Sequence, residues 1–470
     1  DSMWNNYSDQ DMITSGRQFL TYACSVGSYY DLPLINGLLA ILYLSFAAVV
    51  IVSAFNIEGK VLPVIAGGLL VTFPSVSSTF AYTYTIDGYM LAVLLACLAY
   101  ILSRNLKYGF IAGIFALGLS IGIYQAEFSF TILLCIFGLM LDILNGEKTK
   151  ELLAKALKYV VMGIGGYAFY IITLKIMLSV KHTAITGYQG TDRISTFKLS
   201  ELPAGLKAAW DNFYYFVRYG GAFSTTLALK IFYLIFMVVG IVSFIYLFIK
   251  KKTYKNPLNI VFLVILAAVT PFALCLITIL SPDTYFHLLM RMPWVVMMIF
   301  FVALINMFNK EVAVKFETFI SIVSVVSALV LILQFAVAGN IAYFNLNERY
   351  EKTFATCVRL VDRIEQTEGY KAGMPVAILG GFPDENYYPS TDITKDDLSG
   401  YFGVDGNLVC NSSGSYQTFC ERYLNFTFPI LTLEEELKIA DTEEFKTMDK
   451  FPAEGSFKII DGVLVIKLNG

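Results

Sequence analysis

Charge is what this 470-residue chain has least of. Asp, Glu, Lys and Arg make up 15% of it, against 57% hydrophobic and 15% aromatic residues. A soluble chain averages about 25% charged residues. A large water-exposed globule is therefore excluded, and a polytopic membrane protein is indicated. Histidine is nearly absent, with only His182 and His287, which removes His-based metal chemistry. The seven cysteines, at 24, 97, 135, 275, 357, 410 and 420, form no CxxC pair and have no histidine nearby, so nothing suggests a zinc site. A net charge of −3 gives no basic surface for nucleic acid.

Long apolar runs are what the chain has instead. About 20 apolar residues cross a bilayer, and helices satisfy their own backbone there. Ten candidate spans follow: 32–55, 61–78, 88–103, 109–122, 128–144, 159–180, 226–249, 257–280, 286–308 and 316–338. The fourth and fifth are short. They meet at "GIYQAEF", where a tilted or broken pair is expected.

Lys and Arg distribute unevenly over the connections. The loops 56–60, 104–108, 145–158, 250–255 and 309–315 together hold 13 of them, and the loops 79–87, 123–127 and 281–285 hold none. The positive-inside rule puts the first set in the cytoplasm. The N-terminal stretch, the 181–225 loop and everything after about 339 then lie outside. An outer start leads to the expectation of one more helix before Asp1.

Three regions result. Residues 1–31 form an outer loop with an amphipathic helix, 32–339 a transmembrane domain, and 340–470 an extracytoplasmic module. Within the 181–225 loop, "LSELPAGLKAAWDNFYYFVRYGGAF" repeats apolar and aromatic residues at helical spacing and suits the membrane interface. In the tail, "NERYEKTFATCVRLVDRIEQTEG" predicts an amphipathic helix and "MPVAILGGF" a buried strand. "GSFKIIDGVLVIKL" predicts a hairpin around Asp461-Gly462. The fold class is thus all-α polytopic, with a small C-terminal α/β domain. Cys410 and Cys420 would face an oxidising space that permits a disulfide between them; bonded and free thiols both stay open.

Unusual polar residues gather at the outer ends of the helices. Asp9, Asp11 and Arg17 precede the first span, in "NNYSDQDMITSGRQFLTYACS". Asp87 stands in "YTYTIDGYM", Tyr124, Gln125 and Glu127 in "GIYQAEF", and His287 and Arg291 in "SPDTYFHLLMRMPW". Ionisable groups at the membrane edge suggest function by default. Plainer readings stand beside that one: wet loop charges for Asp9 and Asp11, a helix cap for Asp87, an interfacial residue for His287. Snorkelling fits Arg17, and structural pairing with Asp283 fits Arg291. Taken together, arginines suit an anionic lipid phosphate. Carboxylates suit a general base for an attacking hydroxyl. Tyr and Gln side chains suit sugar hydroxyls. That set spells glycosyl transfer from a lipid carrier.

"SGR" before the first long span, "GIYQAE" after a glycine-rich span, and a basic residue at the outer mouth of a late span resemble the phage-type serotype-converting O-antigen glucosyltransferases, the Gtr family. The end of the chain, "FPAEGSFKIIDGVLVIKL", resembles bacterial members. The resemblance implies a GT-C-like fold. It implies a polyprenyl-phosphate donor, undecaprenyl-phosphate glucose, made and flipped by partner proteins. It further implies a cell-surface glycan as acceptor, outside the bacterial cytoplasmic membrane. By position, it puts Arg17 near the donor phosphate, with Arg291 and His287 as further phosphate candidates. Tyr124, Gln125 and Asp87 become sugar-pocket candidates. The early acidic pair of the family corresponds here to Asp9 and Asp11, or to Asp1. The catalytic candidates are accordingly Asp9, Asp11, Asp1 and Glu127. A monophosphate leaving group implies no metal, although Asp9-x-Asp11 has the spacing of a DxD motif and leaves a divalent cation open. Two rival classes remain: a lipid-linked sugar flippase or transporter, and a polysaccharide polymerase or ligase. The few charges within the spans and their clustering on one side favour a one-sided enzyme.

Overall fold

The computed structural model describes residues 9–27, 32–187, 199–219, 227–282, 286–311, 314–382 and 408–468. The chain divides into two compact units, with the boundary between Gly339 and Asn340.

The first unit is helical. It opens with two short helices, α1 (Asp9–Thr14) and α2 (Leu20–Ala23). Then come α3 (Pro33–Ala54), α4 (Leu62–Thr72), α5 (Pro74–Phe80) and α6 (Ile86–Asn105). The chain continues through α7 (Gly109–Ile123), α8 (Glu127–Leu144), α9 (Thr149–Val180) and α10 (Leu202–Tyr219). Next are α11 (Leu227–Lys250), α12 (Pro257–Leu274), α13 (Leu276–Leu280) and α14 (Trp294–Asn309). A 53-residue helix, α15 (Val314–Gln366), contributes its first part to this unit and its last part to the second.

Prolines set several helix starts: Pro33, Pro74 and Pro257 stand in first turns, where a missing N–H leaves no bond unmade. At α12, the Asn256 side chain also accepts from Leu258 N at 3.1 Å and Asn259 N at 3.3 Å.

Among the described residues, eight helices are long and apolar enough to cross a membrane, or nine if the bent pair α4/α5 is one span. Each of the ten sequence segments coincides with helix, but the fourth, Gly109–Ile123, is too short to count among these spans. Three differ in form. The 61–78 segment bends by 43° between Thr72 and Pro74, because the pre-proline Phe73 is driven to extended backbone, ψ 136°. The 257–280 segment breaks at Cys275, four residues after Pro271. The 316–338 segment does not stop, because no proline interrupts the chain before Gln366.

Burial shows why this unit belongs in lipid. Along α3, Leu34, Leu38, Leu42, Phe46 and Val49 are exposed, while Ala40, Leu44, Ala47 and Ile51 are buried. Both faces are apolar, and an exposed apolar stripe of this length needs a non-aqueous cover. Helices α8 and α14 are buried over nearly their whole length and form the centre.

The second unit pairs the end of α15 with a small sheet and three helices: α16 (Ser413–Leu424), α17 (Leu433–Ala440) and α18 (Glu443–Lys446). Its strands are β1 (Val376–Leu379), β2 (Phe457–Ile460) and β3 (Val463–Lys467), in the order β1-β3-β2. β1 runs parallel to β3, and β2 antiparallel to it. The hairpin turns at Asp461 (φ 49°) and Gly462 (φ 79°), the positive pair that a tight two-residue turn demands. All seven cysteines are free thiols.

Candidate active site

The motif "SGR" is first a helix stop. Helix α1 ends at Thr14. Gly16 N donates to Ile13 O and Arg17 N to Met12 O, each at 2.9 Å. This doubly bonded ending needs a left-handed residue at its turn, and Gly16 supplies φ 73°. Ser15 Oγ closes the same turn on Met12 O at 2.9 Å. The chain then runs on into the bundle. Phe19 N donates to Gly122 O at 2.9 Å, and a Cβ on Gly122 would stand 2.4 Å from the Phe19 ring. Glycine at 122 is therefore what lets the two segments meet.

The "GIYQAEF" stretch is the break between α7 and α8. Tyr124 leaves the helix with φ −152° and ψ 113°, and Glu127 starts the next one. Gln125 turns back: its Nε2 donates to Ser15 O at 3.0 Å and Gly16 O at 2.9 Å. Tyr170, from α9, donates its hydroxyl to the same Gly16 O at 3.2 Å. Gln18 Nε2 donates to Tyr170 O and Thr173 Oγ1, both at 3.1 Å. The turn carrying Arg17 is thus clamped from the α7–α8 break and from α9.

Arg17 Nη1 donates to the Tyr89 hydroxyl at 3.0 Å. Its guanidinium carbon lies 5.8 Å from the Tyr89 ring centre and 5.3 Å from that of Tyr124, and the two rings stack at 4.3 Å. A cation on two aromatic faces keeps its planar fork oriented. Burial, and then the neighbouring Tyr89, pushes the Tyr124 phenol well above its ordinary pKa, so it stays protonated at neutral pH. A cavity of about 80 Å³ opens here. Its polar lining residues are Arg17, Tyr124, Gln125, Tyr170 and Ser281, and its apolar ones include Ile121, Phe128, Leu276, Ile277, Leu280 and Met290.

The other sequence candidates lie around this cavity or away from it. Glu127 is 2% exposed, and its Oε2 has no hydrogen-bond partner among the described residues. It stands two residues beyond Gln125 and close to Tyr124, whose hydroxyl also lacks a partner there. Asp87 is 1% exposed. Its Oδ1 accepts from Gly88 N, in the first turn of α6, at 2.9 Å, and the thiol of Cys24 lies against it. Arg291 follows Met290 of the cavity wall, and its Nε and Nη2 donate to Phe286 O at 3.3 and 3.2 Å. His287 is half-buried, which lowers its pKa below the ordinary value. Asp87, Glu127, His287 and Arg291 do not line the cavity itself. Asp9 and Asp11 are the first and third residues of α1. Their side chains, Asp1 and Asp283 lie outside the described residues.

The family profile described as glucosyl transferase GtrII matches residues 1–307. That is well over half of the chain, and it contains every residue of the cavity. The chain belongs to the GtrII glucosyl transferase family. Comparison with curated proteins and with solved structures returns no match. Tyr170, which lines this GtrII-family cavity, and Tyr89, which bonds its Arg17, escape a reading of the sequence alone. They are two of 30 tyrosines, and no motif separates them from the rest.

Proposed function

We propose that the chain moves a glucosyl residue from undecaprenyl-phosphate glucose to a cell-surface glycan of the O-antigen type. The reaction runs on the outer face of the bacterial cytoplasmic membrane, with partner proteins supplying and flipping the donor. The observation that carries this reading is the two-sided cavity at Arg17. A guanidinium suits a phosphate monoanion or dianion, the phenol and amide groups suit sugar hydroxyls, and the apolar wall suits the first isoprene units.

In this mechanism the acceptor hydroxyl attacks the anomeric carbon from the face opposite the phosphate. Its proton passes to a carboxylate, Asp9 or Asp11, with Glu127 and Asp1 as the other candidates. The C1–O bond to phosphate breaks, the configuration inverts, and undecaprenyl phosphate leaves. Arg17 gains most where charge grows on the phosphate, so its interaction lowers the barrier rather than merely binding donor. Arg291 and His287 stand by as further phosphate contacts.

The test is transfer by the purified full chain in lipid vesicles, with undecaprenyl-phosphate glucose and envelope glycan supplied. Glucose appearing on the glycan with an inverted anomeric linkage supports the reading. Equal transfer from a nucleotide-glucose with no lipid donor would sink it.

A further inference from the structure

The second unit buries three cysteines that the proposed reaction does not use. Cys357 lies on α15, Cys410 just before α16 and Cys420 on α16, with exposures of 0%, 6% and 2%. All three belong to one apolar core.

The local geometry brings them together. Arg349, Thr353 and Cys357 follow at four-residue spacing on one face of α15. Arg349 Nη2 donates to Leu408 O at 2.7 Å, and Val409 N donates to Thr353 Oγ1 at 2.8 Å. The 408–410 segment therefore runs along that face, and Cys410 arrives beside Cys357. Helix α16 comes in with Phe419 and Tyr423 against the Tyr350 ring, at 5.8 and 5.3 Å. That contact carries Cys420 to the same place. The Cys357 thiol neighbours both other sulfurs in this core. Buried thiols pack as small hydrophobes, and their reactivity usually decides why they are kept.

We infer that this trio is a disulfide site in which Cys357 is always one half of the bond, and the third thiol stays reduced within exchange distance. The oxidant is an external disulfide. The thiolate of Cys410, the most exposed of the three, attacks it and expels one external thiolate. Cys357 then gives up its proton and attacks the Cys410 sulfur of the mixed disulfide, expelling the second. The two protein thiols lose two protons and two electrons, and the external disulfide gains both as two thiols. Cys420, whose ionisation the neighbouring Cys357 thiol favours, is placed to receive the proton and later to exchange.

Purified full chain is incubated with oxidised glutathione, denatured with an alkylating agent, digested without reductant and mapped by mass spectrometry. The expected product joins Cys357 to Cys410 or Cys420, with the third thiol and Cys24, Cys97, Cys135 and Cys275 alkylated. Alkylation of all three trio thiols overturns the inference, and so does a Cys410–Cys420 bond that leaves Cys357 free. The variant Cys357→Ser keeps the size and polarity of the site. It is expected to accumulate glutathione adduct at Cys410, and a ready Cys410–Cys420 bond in it overturns the central place of Cys357. A cellular arm, with thiols blocked before lysis, rests on the outward placement under the proposed function. A bond that forms with glutathione yet is absent in cells supports the site and counts against that placement.

Discussion

Helix α6 carries a different kind of charge site at each end. Near its start, Tyr89 holds Arg17 at a cavity wall. About 22 Å further along, at 1.5 Å per residue, Arg104 is locked in a closed network. Its Nη2 and Nη1 donate to the two oxygens of Asp142 at 2.6 and 2.9 Å. Lys155 then bridges Asp142 at 2.9 Å and Glu147 at 2.6 Å. The network joins α6, α8 and α9 by opposite charges. Arg17 bonds the Tyr89 hydroxyl, lies over two aromatic faces and lines a cavity. The difference teaches how to sort membrane-edge charges. A cation matched by carboxylates on neighbouring helices holds the bundle together. A cation over rings beside a cavity is the one the proposed reaction would use for the donor phosphate.

The sharpest break of that contrast is at the base. Asp9→Asn or Asp11→Asn is expected to lower kcat by about 10²–10⁴, the usual scale for losing a general base, while donor KM moves little. Full turnover in both would transfer the role to Glu127, and Glu127→Gln would then show the loss. Next comes Arg17→Ala, with an expected fall of about 10²–10³ in kcat/KM, the scale of one preorganised charge-stabilising donor. Thermal stability should stay near that of the parent, because the clamp on residues 15–18 runs through Gln125, Gln18 and Tyr170. Arg17→Lys should recover only part, since an ammonium lacks the planar fork. A large loss of thermal stability in Arg17→Ala would make it a structural cation like Arg104.

At the other end the expected loss is of folding. Asp142 is 6% exposed at its side chain and partners two cations. Removing one member of a buried pair costs about 3–5 kcal/mol. Asp142→Ala should therefore lower the melting temperature and yield in membranes, while turnover per folded molecule is unchanged. A variant that folds normally but no longer transfers glucose would erase the distinction between the two ends.

How much of this the chain reveals unaided depends on the kind of contact. Apolar runs and proline starts follow from composition, so each of the ten segments could be read before any coordinates. Arg17, Tyr124 and Gln125 stand out because polar groups at an apolar boundary are few. Tyr89 and Tyr170 do not, since an aromatic in a buried helix face looks the same whether it packs or holds a cation. The second bond that Gly16 makes possible is also hidden: "SGR" displays the arginine, not the helix ending that aims it. Cys357 lies 53 residues before Cys410, and nothing in spacing alone pairs it with the later two. Long-range partnership is set by how α15 continues without a break, which only the absence of a proline hints at.

The smallest expected effect concerns His287 and tests which positive charge responds to donor. Burial lowers its pKa below the ordinary value, so its charged form is present only on the acid side and is lost as pH rises. At pH 7–8 the imidazole is neutral and supplies at most one hydrogen bond to a phosphate. His287→Gln should therefore change donor KM in this range by about twofold or less, a shift on the order of 0.5 kcal/mol. If His287 faces the phosphate, donor KM of the parent should fall as pH drops below 6.5, and the variant should show no such fall. Parallel pH profiles would leave Arg17 as the cation that responds to donor. A large KM increase in His287→Gln at pH 8 would instead mean that a neutral contact near Met290 matters more than the charge of Arg17.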